Sequence, residues 1–456
     1  MTSTRRRTAR TRELIAGVGG AASGARAALL VGLYAIAAPA LASGESLTLE
    51  RAIDTALARN ETARAAEERV RAADARVAQA RSGFLPDVTL GGSYTRSTGD
   101  LGGSAAGAQA SRSGDDAVAG TATLSVPLFD PRNVPLYRRA KLDRAGARLE
   151  AGDAREVLAF SVAGSFFGAL TAEQVLAAAE RRLQLARATH ADASDRAGAG
   201  LVGTNDVTRA EVELWSAERD LTRARSALEI ARVQLAYLLD VAPPEDLAAP
   251  DALLAAAAQA SGGEDALAAE ALQRRKDVRA LELRADALRA FADEARLRFL
   301  PSLSLTGQLR SFGDETFGGF RNDAVVGATL TWPLWDGGLR RAERRERLSL
   351  AAIGDLDRSA AARGTTRDLQ EALASLRGGQ AATRQAEAAA LAARRNSEES
   401  TILYRQGLAT ALAVADANTR LFEAEVDVAR TRFDLAQAFL ALRRATGLDP
   451  LGRELP

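Results

Sequence analysis

The chain repeats itself. Residues 82–97 read SGFLPDVTLGGSYTRS and residues 297–311 read LRFLPSLSLTGQLRS. Residues 123–130 read TLSVPLFD and residues 329–336 read TLTWPLWD. Gly200-Leu201-Val202 corresponds, in the same order, to Gly407-Leu408-Ala409. Matching segments in one order at nearly one spacing mark two copies of a long unit, covering roughly 47–240 and 265–446. Each copy has the order helix, strand, loop, strand, long helix, turn, helix. The consecutive prolines Pro243-Pro244 stop a helix between them. The segment 241–264 therefore reads as a connector, with a short helix from Asp251 to Ala260.

The strands alternate with a period of two. Val88, Leu90 and Tyr94 alternate with Thr89, Gly91, Ser93 and Thr95; Ala122, Leu124, Val126 and Leu128 alternate with Thr121, Thr123 and Ser125. Leu303, Leu305 and Leu309 alternate with Ser302, Ser304, Thr306 and Gln308; Val326, Ala328, Leu330, Trp332 and Leu334 alternate with Gly327, Thr329 and Thr331. One face is apolar and the other small and hydroxylated, as in a membrane barrel strand with lipid outside and water inside. The expected strands are about 85–97, 119–129, 301–311 and 323–334, each the length of a tilted spanning strand. Between them, 98–118 and 312–322 are rich in Gly, Ser and Asp and fit extracellular loops.

The helices carry the other period. Leu214, Ala217, Leu221, Ala224, Leu228, Ala231 and Leu235 form a seam, matched by Leu421, Ala424, Val428, Thr431, Leu435, Ala438 and Leu442. Leu158, Val162, Ser165, Ala169, Ala172, Leu176, Ala179, Leu183 and Ala186 form a third. Spacings of three and four are those of a coiled coil, and the small residues let backbones approach. Arg and Glu fill the remaining faces, mostly solvated. A helix over 131–198 runs roughly 100 Å. Helices over 48–83 and 204–240 are about half as long, so stacked end to end they match it. The strands sit at one end of this array and the turns at 199–203 and 406–410 at the other.

The N-terminus reads as an export signal over 1–42. Arg5, Arg6, Arg7, Arg10, Arg12 and Arg26 precede an apolar run from Ala27 to Ala38, followed by Pro39-Ala40-Leu41-Ala42 with its A-x-A cleavage pattern. The run is shorter than the ~20 residues of a spanning helix. No later run is judged long enough either, so strands closed into a barrel are the route left for crossing a membrane. Four strands leave two open edges, and closed barrels need about eight strands, so several copies must share one barrel.

Composition excludes other classes. The balance of 60 Lys plus Arg against 59 Asp plus Glu shows no basic excess for nucleic acid. With no cysteine there is no disulfide, no thiolate metal site and no lipid-bearing Cys. The single histidine, His190, lies in a charged helical stretch without partners. No phosphate loop, metal-ligand cluster or nucleophile elbow is present, which argues against an enzyme or a cofactor.

Several short motifs resemble the TolC-like outer-membrane efflux family. They are Leu47-Thr48-Leu49-Glu50-Arg51-Ala52, Phe84-Leu85-Pro86, Phe299-Leu300-Pro301, Pro127-Leu128-Phe129-Asp130 and Pro333-Leu334-Trp335-Asp336-Gly337-Gly338. Their duplicated order spans about 47–446. The resemblance implies an α+β membrane protein: a long α-helical coiled-coil barrel continuous with a transmembrane β-barrel shared between subunits, four strands per chain, in a homotrimer. The implied division is 43–240 as first repeat, 241–264 as connector, 265–446 as second repeat and 447–456 as tail. It implies a passive outer-membrane duct for efflux of small molecules, with outer-membrane lipid around it, working with a periplasmic adaptor and an inner-membrane pump driven by protons or ATP. Pro86 and Pro301 break the helix where the chain enters the barrel. Pro127 and Pro333 mark the strand-to-helix junctions, and Asp130 and Asp336 are expected N-caps of the returning helices.

Gly200, Leu201, Val202, Gly407 and Leu408 resemble the family's tip turns, which contact the adaptor, with the two glycines as C-caps. Asp206 matches a family gate aspartate and Tyr404 a gate tyrosine. The prototype's gate arginine is Ala409 here, and of its two entrance aspartates one is Ala413 and the other Asp416. The expectation is that Asp206 pairs with Arg405 or Arg209 instead and that Asp416 supplies a ring of three carboxylates. Phe84, Phe129, Phe299, Trp332 and Trp335 cluster at the barrel junctions, as an interfacial belt or as plain packing. The same duct could serve one-step protein secretion. A soluble periplasmic scaffold or adaptor explains the heptads but not four alternating strands.

Overall fold

A computed structural model describes residues 46–96, 116–244, 246–261, 263–314 and 319–453. The expected export signal and most of the expected 98–118 loop lie outside the described residues. The first half runs α1 (Leu49–Arg59), α2 (Glu61–Ser82), β1 (Asp87–Arg96), β2 (Asp116–Phe129), α3 (Asn133–Gly198) and α4 (Thr204–Leu239). After α5 (Asp251–Gln259) the same order recurs: α6 (Glu264–Arg274), α7 (Lys276–Leu297), β3 (Ser302–Asp314), β4 (Gly319–Thr331), α8 (Leu339–Arg405) and α9 (Ala411–Ala445).

The long helices pair as α3 with α4 and α8 with α9, and α3 also packs on α2, α7 and α9. At the α3–α4 seam Ala179, Leu183 and Ala186 bury against Ala217, Leu221 and Ala224. Each buried Leu contributes about 1.5–3 kcal/mol, and the Ala positions let the backbones close up. In α9 the expected series holds at Leu435, Ala438 and Leu442, all buried. Nearer its start the buried positions are Ala411, Val414, Ala417, Asn418, Val426 and Ala429, while Leu421, Ala424, Val428 and Thr431 stay half-buried. Among the described residues one helix, α3, has a window of mean hydropathy 1.3, apolar enough by length and composition to cross a membrane. That corrects the reading that no such run follows the N-terminus; its packing marks it as the central helix of the coiled coil.

The helix expected over 48–83 is interrupted. Asn60, with φ −63° and ψ 136°, leaves the helical region; its side chain accepts from the Thr62 N–H at 2.9 Å and donates to the Leu238 carbonyl at 3.1 Å. The amide thus caps α2 and ties the break to the end of α4. Arg275 makes the corresponding break between α6 and α7, also in extended conformation. Near both breaks the chain folds back on itself. Leu47 donates to the Asp246 carbonyl and accepts from the Ala248 N–H, each at 2.9 Å, and Gln380 donates to Ala257 and Ala260 of the connector.

The strands form one antiparallel sheet in the order β1-β2-β3-β4, so β2 and β3 join the two halves and β1 and β4 are edges. Pro86 and Pro301 each stand one residue before a strand. Pro127 does not mark a junction. It lies inside β2, which runs on to Phe129 through a register shift between Pro127 and Phe129, because a proline without an N–H fits a paired strand at such an irregularity. Conversely β4 ends at Thr331, short of the expected 334, where Trp332 leaves the ladder and donates its indole N–H to the Phe299 carbonyl at 3.1 Å. The second loop is also shorter than expected, since β3 reaches Asp314 and β4 begins at Gly319.

Asp130 and Asp336 are not the N-cap residues, which are Arg132 and Gly338. Their carboxylates nevertheless serve the helix starts. Asp130 accepts from the Arg132 backbone N–H at 3.1 Å, and Asp336 from those of Gly338 and Arg340, each at 3.1 Å. One residue separates each aspartate from the cap, and each carboxylate also holds an arginine side chain, Arg132 at 2.6 Å and Arg340 at 2.5 Å.

Candidate functional site

Two regions hold the candidate site residues: the sheet with its junctions, and the two helix turns at the far end. In the sheet, cross-strand registers align the apolar alternation into one continuous face. Leu90 faces Ala122, Ala122 faces Leu309 and Leu309 faces Ala324; likewise Val88 faces Leu124, Gly307 follows, and Val326 completes the row. Leu90 is 84% and Val326 77% exposed. The opposite face carries Thr89, Ser93, Thr121, Thr123, Ser125, Ser304, Thr306, Gln308 and Thr329, with Ala119, Pro127, Phe312 and Val325 as apolar exceptions. A polar lattice crosses it, from Arg310 to Gln308 at 2.7 Å and Gln308 to Thr123 at 3.5 Å. An apolar side facing lipid and a hydroxylated side facing water is the division a barrel wall needs.

At the junctions Phe84 meets Tyr137 edge-on with centroids 6.0 Å apart, and Arg340 lies over Phe299. Phe129, Trp332 and Trp335 stay exposed. Packing and an exposed aromatic rim therefore coexist there.

At the far end the two turns have one geometry. Gly200 has φ +69° and Gly407 +78°, the left-handed region that a Cβ disfavours. Leu201 N–H bonds the Arg196 carbonyl and Gly200 N–H that of Ala197; Leu408 N–H bonds Leu403 and Gly407 N–H bonds Tyr404. These are Schellman closures, with the glycines one residue beyond the C-caps Ala199 and Gln406. They leave Leu201 75% and Leu408 73% exposed, while Val202 is half-buried. The closed turns thus present two large apolar side chains to the outside of the chain.

Tyr404 is 3% exposed and packs with Ala411, Val414 and Ala409. Burial pushes its phenol above the usual range; Arg196 opposes this, and Asp192 and Asp206 add to it. Asp206 is half-buried in the first turn of α4, its N–H bonded to the Gly203 carbonyl at 3.1 Å. Among the described residues neither Arg405 nor Arg209 lies within the 4.0 Å ion-pair distance of Asp206 in the same chain. Asp416 is exposed and pairs with Arg420 at 3.0 Å. Two residues that sequence reasoning passed over stand out. Arg196 of α3 bonds the end of α8, and Arg182 is buried among carboxylates of α4. Both look like ordinary surface arginines in the sequence, since their partners lie far along the chain.

An amphipathic four-stranded sheet, continuous with coiled-coil helices of which α3 and α8 run roughly 100 Å, is the architecture of an outer-membrane channel protein. The chain belongs to the outer membrane efflux protein family: the family profile of that description matches residues 52–240 and 267–448. It is 26% identical over 384 residues to the outer membrane protein TolC of Vibrio cholerae, covering 81% of this chain and 83% of that one. It is 31% identical over 156 residues to the fusaric acid resistance protein FusA of Burkholderia cepacia, covering 33% of this chain and 29% of that one. Its fold matches the crystal structure of the outer membrane protein VceC from Vibrio cholerae with a TM-score of 0.72 at 20% identity, covering 88% of this chain and 96% of that one. The protein is an efflux channel of the outer membrane and not an enzyme.

Proposed function

We propose that three copies of the chain form a passive duct for small molecules through the outer membrane and the periplasm. The observation that carries this reading is the sheet itself: β1 and β4 each have one unpaired edge, and unpaired backbone groups cannot face lipid. Three chains of four strands would close them in a twelve-stranded barrel. Likeness to a protein named for fusaric acid resistance supports a small-molecule cargo. In this reading residues 1–42 direct export, 43–240 and 265–446 are duplicated units, 241–264 connects them near mid-height, and 447–456 is a tail. The apolar sheet face meets outer-membrane lipid. The exposed Leu201 and Leu408, with Gly200, Val202 and Gly407, contact a periplasmic adaptor that links the duct to an inner-membrane pump. Asp206, Tyr404, Arg209, Arg405 and Asp416 line the closed entrance, where pairing of Asp206 with an arginine crosses between chains and three copies of Asp416 form a carboxylate ring.

The test is the native mass of the membrane-extracted protein, corrected for bound detergent. A trimer is the expected result. A water-soluble monomer would remove the shared barrel and leave a periplasmic scaffold as the better reading.

A further inference from the structure

One side chain ties the two hairpin tips together inside a single chain. Arg196, in the last turn of α3, donates from Nη1 to the Tyr404 carbonyl at 2.8 Å and from Nη2 to the Arg405 carbonyl at 2.9 Å. Its guanidinium also lies 4.6 Å from the centroid of the Tyr404 ring. The carbonyls of a last helical turn lack intrahelical donors and carry the negative end of the macrodipole. A planar cation with parallel N–H groups suits two successive carbonyls there better than any other side chain.

The backbone of the same residue closes the other turn, since the Arg196 carbonyl accepts the Leu201 N–H at 2.9 Å. The exposed Leu201 is thus one hydrogen bond from the residue that grips α8. Among the described residues the buried Tyr404 hydroxyl has no hydrogen-bond partner, so the tyrosine contributes its main chain and its ring to this contact. The tie runs one way only: four residues before Gly200 stands Arg196, and four residues before Gly407 stands Leu403.

We propose that Arg196 is the positioning residue that holds the periplasmic entrance shut, by fastening the α8–α9 tip to the α3–α4 tip. The proposal rests on the reading of the tips as the entrance of a duct. Opening separates the hairpins and breaks both charge-assisted bonds, and a partner that displaces Leu201 acts on the turn from which they are held.

The test uses the full-length protein, extracted as the native assembly and inserted into planar lipid bilayers at fixed voltage. With mass and melting temperature measured beside conductance, Arg196→Ala is expected to keep the wild-type mass and raise open-state occupancy about tenfold or more, the shift that loss of even one of its two charge-assisted bonds produces. Arg196→Lys, which keeps the charge but not the fork, should fall between. Arg187→Ala, which removes an exposed arginine paired with Glu218 at 3.6 Å inside the α3–α4 hairpin, should match wild type. A structural role alone would lower melting without opening the assembled channel. Should Arg196→Ala fail to assemble, Arg196→Gln reads the same loss of charge and fork. Wild-type occupancy in the assembled Ala or Gln variant overturns the latch, as does an Arg187→Ala effect as large. A conducting wild type with unaltered variants removes the latch alone, whereas a wild type without conductance removes the duct reading with it.

Discussion

At the scale of single residues, Arg182 shows how burial decides what a charge contributes. Its side chain is 6% exposed between α3, α4 and α9, pairing with Glu213 at 2.8 Å and with Asp220, while its guanidinium lies 5.0 Å from the Phe422 ring. Its partners are 31 and 38 residues away, so nothing local distinguishes it from the solvated arginines around it. Removing it strands two partly buried carboxylates. Arg182→Ala is expected to cost about 3 kcal/mol, against about 0–1 kcal/mol for Arg71→Ala, whose pair with Glu68 is largely exposed. Thermal unfolding of the detergent-solubilised protein checks both. A second residue-scale constraint is steric: a Cβ on Gly354 would meet Leu288 Cδ1 at 3.0 Å and the Ala285 Cα at 3.2 Å, which is why α7 can lie so close to α8.

At the scale of elements, the two helix breaks are built differently. Asn60 uses a neutral amide, whereas the break at Arg275 is an ionic joint. Arg275 pairs with Asp277 at 2.7 Å and Asp368 at 2.9 Å, and the next residue, Lys276, pairs with Glu156 at 3.2 Å. Burial alone would raise the Asp277 and Asp368 carboxyls, but Arg275, with Arg367 beside Asp368, holds both below the usual range. Burial pushes Asp153 up, with help from Asp277, and pushes Glu156 up against the pull of Lys276. The signs are opposite. A depressed carboxyl contributes stability above the unfolded value near pH 4 and loses it as pH falls through the lower folded value. A raised carboxyl weakens the fold at neutral pH, and that cost is relieved as pH falls from the raised value toward about 4. Stability should therefore rise on mild acidification and fall in stronger acid. Asp153→Asn should flatten the rising limb, read as melting temperature against pH.

At the scale of the whole molecule, the two faces of the sheet make opposite demands. Leu90→Arg places a charge on the apolar face and is expected to cost about 2–4 kcal/mol near the bilayer midplane. Thr123→Arg, one register row away on the hydroxylated face, should insert normally and change conductance or ion selectivity instead. The folded fraction recovered in lipid vesicles separates the two, and equal losses would show that the faces are assigned wrongly. The same geometry carries the proposal of a barrel shared between chains: the helices bury their seams internally, but the sheet ends in two unpaired edges.

What the sequence determined alone was whatever repeats over short distances. The period of two marked four strands, spacings of three and four marked the seams through Leu183, Leu221 and Leu435, and glycines marked turns closed by bonds spanning a few residues. Only the tertiary structure decided the rest. It placed Pro127 inside a strand because β3 continues beside it, and broke the first helix at Asn60 because the Leu238 carbonyl lies within reach of its amide. It also turned Arg196 from a surface cation into a bridge, because the carbonyls it grips are 208 and 209 residues away. Period is a property of neighbours along the chain, whereas the partner of a polar group depends on which distant segment the fold brings beside it.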